Sequence, residues 1–354
     1  MRVQVIRDAV HRYIPFSSLE KKIMASSLFI RLYYVTQNGL AYMTYPSNRT
    51  SRFAHCLGTM HVGTQMLLGA ITTSKSGRAF LNASKRALAG MMTERFESGD
   101  VGYALDRATA WLHDNPDPFY QSLGLTASSR DIWTIILVQS LRLACIVHDL
   151  GHPPFSHTLE AALECHASYR HSKSKLRKNF DQAVAFLRNR SPGSGLKNPR
   201  FHELCGAVLA NRIFADIFRE GGERRFFKAC LSIATGVVVT DFRNAATKQD
   251  RILAALHEIV SGPVDADRAD YVLRDGGAFG LEAVNYDLLR IVGNMQVGRE
   301  GGSVKPFVFR PTCQAASGIE GFFHARYRLY RWAIYRLCPE FCGKVDSAFS
   351  PAKP

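Results

Sequence analysis

Residues Ser129 to His157, SRDIWTIILVQSLRLACIVHDLGHPPFSH, decide how the rest of the chain is read. The stretch is apolar almost all round a helical wheel, the pattern of a helix sunk in a core. It opens on Ser129 or Asp131 and closes at Gly151, with Pro153 and Pro154 just beyond to stop it. Three histidines and an aspartate, His148, Asp149, His152 and His157, crowd its end within ten residues. A helix that only fills a core has no need of them.

Working outward, helical spacing dominates. SLEKKIMASSLFIRLYYV (Ser18–Val35) places apolar residues three and four apart. Thr50 or Ser51 is placed to cap a helix through RFAHCLGTMHVGTQMLLGAI, and Asn198 with Pro199 opens another through FHELCGAVLANRIFADIF. Two pieces, GLAYMTY (Gly39–Tyr45) and GVVVT (Gly236–Thr240), read as β-rich, but they do not alternate with helices as a parallel sheet requires. The expected fold is all-α, mainly helical, with minor β elements. No internal repeat is visible. Two excursions interrupt the pattern, a polar one over 74–128 and a basic one over 169–200 with the turn-rich tip SPGSG. The end at FSPAKP, after an aromatic and basic helix with no closing domain, is open to two readings, a fragment or a chain without a usual tail.

The composition bounds the function. At 354 residues, 46% hydrophobic and 21% charged, the chain has the make-up of a globular protein and not of a disordered one. The formal charge of +15 favours polyanionic partners: nucleotides, nucleic acid or an acidic membrane face. The N-terminus lacks the long apolar core of a secretory signal, and no run approaches eighteen uninterrupted apolar residues. The eight cysteines are scattered singly, as buried thiols of a reduced, cytoplasmic compartment.

His148 and Asp149 at a core edge are costly unless compensated. One compensation is a hydrogen bond between them, and another is a divalent cation. One ion needs further ligands. His55 in SRFAHCLG supplies one, and VDADRADYVLRD offers Asp265, Asp267, Asp270 and Asp275. Singly each reads as a core or solvated residue. In the order His, His-Asp, Asp they read as one site drawn from three separated helices.

That order resembles the signature of HD-domain phosphohydrolases. With QNGLAYMTYPSNRTSRFAHCLGT, VHDLGHPPFSH and VDADRADYVLRD, it is similar to their deoxynucleoside triphosphate triphosphohydrolase branch, over roughly Ile6 to Arg336. The resemblance implies one HD domain over 1–354 and hydrolysis of dNTPs at the α-phosphorus, giving a nucleoside and inorganic triphosphate. His55, His148, Asp149 and Asp267 would hold a divalent metal ion: Mn, Fe, Mg or Zn. His152 and His157 would face the phosphates and the attacking water, and Glu160 would bond a catalytic histidine, matched by His202. Arg52, Arg268 and Arg326 would contact phosphate, with Arg268 standing where the family usually has lysine. Gln37, Tyr271 and Asp275 would hold the sugar. Asn38 replaces a leucine that crowds the sugar's 2′ position in nucleotide-activated members, which points to a weaker preference for deoxynucleotides. Ile334 stands where those members have a tyrosine near the sugar. Ala25, Ile30 and Tyr33 replace the polar side chains by which they bind activators. A homo-oligomer and no membrane attachment are implied. Two alternatives stay open. One is a different HD phosphohydrolase (nucleotidase, phosphodiesterase or nuclease). The other is a nucleic-acid-binding protein with a relic HD site. The basic segment 169–200, as a nucleic-acid contact, and the net charge favour the first of the two.

Overall fold

The computed structural model describes residues 2–93, 110–126, 128, 131–160, 182, 201–218, 221–239, 247–299 and 307–336. The basic segment 169–200 (Gln182 apart), the helix start at Asn198–Pro199 and the terminus 337–354 lie outside the described residues.

Helices α1 (Ser18–Met24), α2 (Arg52–Thr73), α3 (Gly77–Thr93), α4 (Ile132–Leu150), α5 (Phe201–Ile217), α6 (Gly221–Val239), α7 (Lys248–Ser261), α8 (Ala266–Ala278) and α9 (Ala316–Trp332) dominate. Two antiparallel hairpins accompany them, β1 (Gln4–Asp8) with β2 (Arg12–Phe16), and β3 (Met295–Arg299) with β4 (Phe307–Pro311). The fold is mainly helical, as expected. The β elements are elsewhere than expected: Gly39–Tyr45 forms a turn and a 3-10 helix at Ala41–Met43, and Gly236–Val239 is the last turn of α6. β-branched residues were misleading there because α6 is buried on nearly all sides at that end, and packing overrides propensity. Ser18–Val35 is not one helix either. Ser26 accepts a hydrogen bond from the Phe29 amide and restarts the chain as a short helix, then a 3-10 turn at Arg31–Tyr34.

α4 is the axis of the core. It packs against α2, α5 and α6, and α8 packs on α2. It is long and apolar enough to cross a membrane, but 94% of it is buried inside the molecule, as for a core helix. Two of its polar residues, Gln139 and Arg142, meet at Glu20. Arg142 donates to both Glu20 carboxylate oxygens (2.6 and 2.7 Å), to Thr64 Oγ1 and to the Pro15 carbonyl, and Gln139 donates to Glu20. Ser17 and Glu20 form a reciprocal capping box on α1, so one short helix start anchors this buried ion pair.

Three features bring the ends of these helices together. A Cβ on Gly151 would lie 2.0 Å from the His202 carbonyl, and one on Gly206 would lie 2.3 Å from the Val147 carbonyl, so α4 and α5 cross at a distance only glycine permits. A Cβ on Gly58 would overlap Asp270, so α8 meets α2 there. Residues 37–50 form a loop pinned at its neck by Gln37 N–H to Thr50 O and Arg52 N–H to Val35 O, and docked on α8 through Ser47 Oγ to the Ala278 carbonyl.

Candidate active site

α4 ends at Gly151, and the Arg31 guanidinium caps its last carbonyls, bonding Leu150 and His152. Pro153 and Pro154 prevent continuation. Phe155 and Ser156 then take φ of 63° and 52°, a left-handed pair that turns the chain back. Such strain persists only where the surroundings impose it. Here Ser156 Oγ accepts from Arg52 Nε at 2.8 Å and donates to the Thr36 carbonyl at 2.6 Å. The turn thereby carries His152, His157 and Glu160 back over the end of α4.

Two clusters result. His55, His148 and Asp149 bring ligand atoms within 4.8 Å of one another. Asp267 joins them, its Oδ1 lying 3.0 Å from His55 Nε2 and 3.9 Å from His148 Nε2. The second cluster is His152, His157, Glu160 and His202. His152 bridges the two: its Nε2 is 3.1 Å from Asp149 Oδ1, and its ring stacks on His202 with centroids 4.0 Å apart.

The first cluster has the chemistry of a cation site. His55 Nδ1 bonds Asp270 Oδ2 at 2.8 Å, and His148 Nδ1 bonds the Cys145 carbonyl at 2.6 Å. Both Nε2 atoms are buried without a hydrogen-bond partner and lie 3.0–3.9 Å from the carboxylates of Asp149 and Asp267. The Arg52 guanidinium on Asp149 and a proton on His55 set positive charge against these carboxylates. Burial opposes a charge on His55, but the Asp267 carboxylate 3.0 Å from Nε2, the bond to Asp270 and the charges of Asp270 and Asp149 outweigh it and push its pKa up to about 10. A field that holds a proton so firmly suits a divalent cation equally. Imidazoles oriented through Nδ1 by a carboxylate or carbonyl are the usual form of metal-ligating histidine.

The second cluster is joined by hydrogen bonds to one carboxylate. Glu160 accepts from the His202 backbone N–H at 3.1 Å, from His202 Nδ1 at 2.8 Å and from His157 Nδ1 at 3.0 Å. Burial disfavours its charge, but these histidine bonds hold its carboxyl well below the usual range. The ionised Glu160 thus fixes the His202 tautomer through Nδ1. His152 is held neutral, because burial lowers its pKa against the pull of Asp149. Neither of its ring nitrogens has a hydrogen-bond partner.

The remaining expected residues divide. Gln37, Asn38 and Asp275 sit on the pinned loop and α8, with Gln37 Oε1 and Asp275 Oδ1 buried and unpartnered. Tyr271 OH accepts from Arg326 Nε at 3.0 Å, which brings α8 and α9 together. Arg52 pairs with Asp149, a candidate ligand. Arg268 turns back to its own helix cap, bonding Asp265 and the Gly262 carbonyl, and not toward the histidines. Its side chain is 30% exposed.

Sequence reasoning missed the support behind His55. Asp270 also bonds His11 Nε2 at 2.7 Å and Arg274, which in turn bonds Asp8. Asp270 was legible as one helical turn beyond Asp267. His11 and Asp8, on the β1–β2 hairpin more than 250 residues away, carried no signal. Asn48, whose Oδ1 accepts from Asn38 Nδ2 at 3.2 Å, was missed too.

No protein-family model matches the chain. The chain is distantly similar to SAMHD1 triphosphohydrolases. It is 23% identical over 364 residues to deoxynucleoside triphosphate triphosphohydrolase SAMHD1 of Xenopus laevis, covering 99% of this chain and 46% of that protein. It is 26% identical over 158 residues to SAMHD1 of Bos taurus, covering 45% and 18% respectively. An uncharacterized protein of Methanocaldococcus jannaschii is 26% identical over 333 residues, covering 94% of this chain and 46% of its own length. The chain spans about half the length, or less, of these relatives. This similarity supports an HD-domain, dNTPase-like relationship and a hydrolase, and goes no further.

Proposed function

We propose that the protein is a metal-dependent hydrolase of deoxynucleoside triphosphates, releasing a deoxynucleoside and inorganic triphosphate. The observation that carries this reading is the pair of partnerless Nε2 atoms on His55 and His148, turned toward Asp149 and Asp267 beside a second, proton-handling cluster. The similarity to SAMHD1 proteins supports the substrate.

His55, His148, Asp149 and Asp267 would hold the cation. Two imidazoles and two carboxylates without a thiolate suit Mn, Fe, Mg or Zn in a hydrolytic role. When bound, such an ion supplies Lewis acidity that activates water and neutralises charge developing at phosphorus. The protein supplies the rest. Neutral His152 offers a nitrogen lone pair to orient water between the clusters. His202 Nε2 carries a proton to the oxygen that leaves phosphorus, and ionised Glu160 at its Nδ1 stabilises the imidazolium that precedes this transfer. His157, whose side chain is 60% exposed, reaches outward toward the phosphates. Ser156 and Arg52 lock the turn on which the three histidines depend.

The test is incubation with Mn²⁺ and a panel of dNTPs, NTPs and oligonucleotides, with product identification. Inorganic triphosphate from dNTPs is the expected product. Pyrophosphate, single phosphate or shortened oligonucleotides would replace this reading with another phosphohydrolase.

A further inference from the structure

Where α4 stops, its last carbonyls have no further helical turn to bond them. The Asp149 carbonyl accepts from the Gly151 and His152 amides. The Leu150 and His152 carbonyls accept from the Arg31 guanidinium, the second through Nη1 at 2.7 Å. Arg31 forms no ion pair with a carboxylate among the described residues. A cation at a helix C-terminus stabilises modestly whatever its shape. The planar guanidinium does more, because it bridges one carbonyl inside the helix and one beyond it. It thereby fixes the angle at which the chain leaves α4.

His152 depends on that angle. It is 1% exposed, and its ring makes no hydrogen bond that would orient it. The ring is located by packing on His202 and His157, with centroids 4.0 and 4.6 Å away, and by its own backbone. Two arginines hold this backbone. Arg52 grips the far end of the turn through Ser156, and Arg31 grips the near end at the carbonyl of His152 itself. Arg52 also pairs with Asp149, so its loss would disturb the metal cluster as well. Arg31 bonds backbone alone. Its own position is fixed independently of the clusters. It opens the 3-10 turn Arg31–Tyr34, in which Leu32 is fully buried, and the Tyr33 ring stacks on Phe53 of α2 at 3.8 Å. The Val35 carbonyl that follows accepts from the Arg52 amide at 2.9 Å.

We infer that Arg31 is a positioning residue for the reaction: by clamping the Leu150 and His152 carbonyls it holds the His152 imidazole where it orients the attacking water. The inference rests on the hydrolase reading above.

The experiment compares the native protein with Arg31→Ala and Arg31→Lys. It measures Mn²⁺ content by mass spectrometry, kcat and KM for dNTPs, and the NMR spectrum of ¹³C-labelled histidine rings in the metal-free protein. The His152 signal is identified by its loss in His152→Gln. Arg31→Ala should keep the metal and KM and lower kcat roughly 10²-fold, the effect of misplacing a reacting group by about an ångström. The His152 signal should move, while that of exposed His113 stays. Added guanidinium ion, far below unfolding concentrations, should return part of the rate and of the signal. Methylammonium, a cation without the planar fork, should return neither. Arg31→Lys keeps the charge and loses the fork; it should show the same changes in weaker form, and covers the case in which Arg31→Ala fails to fold. The inference is overturned if both variants keep kcat and the His152 signal. It is overturned equally if KM alone rises, which would make Arg31 a charge felt by the substrate, or if metal content falls in step with kcat. If the native protein cleaves no dNTP, yet the His152 signal moves in the variants and guanidinium moves it back, the hydrolase reading fails and the clamp on His152 stands.

Discussion

At the scale of single residues, the proposed function assigns metal binding to one cluster and proton transfer to the other. His202 touches Glu160 and stacks on His152 but lies outside the four candidate ligands. His202→Ala should therefore keep the metal, measured by mass spectrometry, and lose rate by ~10²–10⁴. Loss of the metal would place His202 among the ligands instead. Asp275 makes a different point. Burial pushes its carboxyl from 3.8 to about 6, with the Asn38 side chain offsetting part of the effect. A carboxyl whose folded-state pKa is raised costs nothing below ~4, where it is protonated in both states, and destabilises as pH rises through 6. The two-unit shift corresponds to about 3 kcal/mol. Metal-free Asp275→Asn should thus be more stable than the native protein at pH 7.5 and no more stable at pH 4, in urea unfolding at both. An equal gain at both pH values would mean packing, not charge, is responsible. On the proposed role of Asp275 in holding the sugar, activity should fall in the same variant.

At the scale of elements, the β1–β2 hairpin is a buttress and not a decoration. It places His11 and Asp8 behind Asp270, so that Asp270 accepts from His11, His55 and Arg274 at once. Asp270 is held well below the usual carboxylate range: burial works against its charge, and the Arg274 guanidinium and the histidine bonds overcome it. A fixed anion at His55 Nδ1 keeps Nε2 aimed at the metal cluster. Partners of this kind are commonly worth 10–100-fold in metal affinity. His11→Ala should weaken Mn²⁺ binding by about that factor in calorimetric titration, while Arg274 keeps Asp270 ionised and the protein folded. Unchanged affinity would reduce the hairpin to packing. The glycines at the α4–α5 crossing work at the same scale, because they alone let His202 approach His152.

At the scale of the whole molecule, the charge of +15 remains to be placed. The basic segment 169–200 holds a concentrated share of it and lies between the two halves of the second cluster in sequence, Glu160 and His202. If that segment grips nucleic acid, deleting Ser172–Gly195 should weaken oligonucleotide binding and flatten its salt dependence, each lost phosphate contact reducing the slope by about 0.7–0.9. dNTP hydrolysis should stay nearly unchanged, because the motif residues lie outside the deletion. Binding that persists with the same salt slope would remove the segment as a nucleic-acid contact.

The α4 helix, its stop at Gly151 and the histidines beyond it were legible because each rests on local chemistry: an apolar wheel, a terminal glycine, two prolines. The helical class followed, as did the Ser51 cap, whose Oγ accepts from the Ala54 amide. The grouping of His55, His148, Asp149 and Asp267 was legible only as residue types in order, since ligands from separate helices meet through packing. Other things belonged to tertiary structure alone. The hairpin at the N-terminus holds His55 through residues with no pattern of their own. Arg268 bonds its helix cap, because the fold holds the carboxylate three residues back within its reach. The amide pair Asn38–Asn48 exists because a pinned loop folds two residues ten apart onto α8. Sequence determines which groups can bond; only the closed chain decides which of them are left without a partner, and those atoms are where a ligand is read.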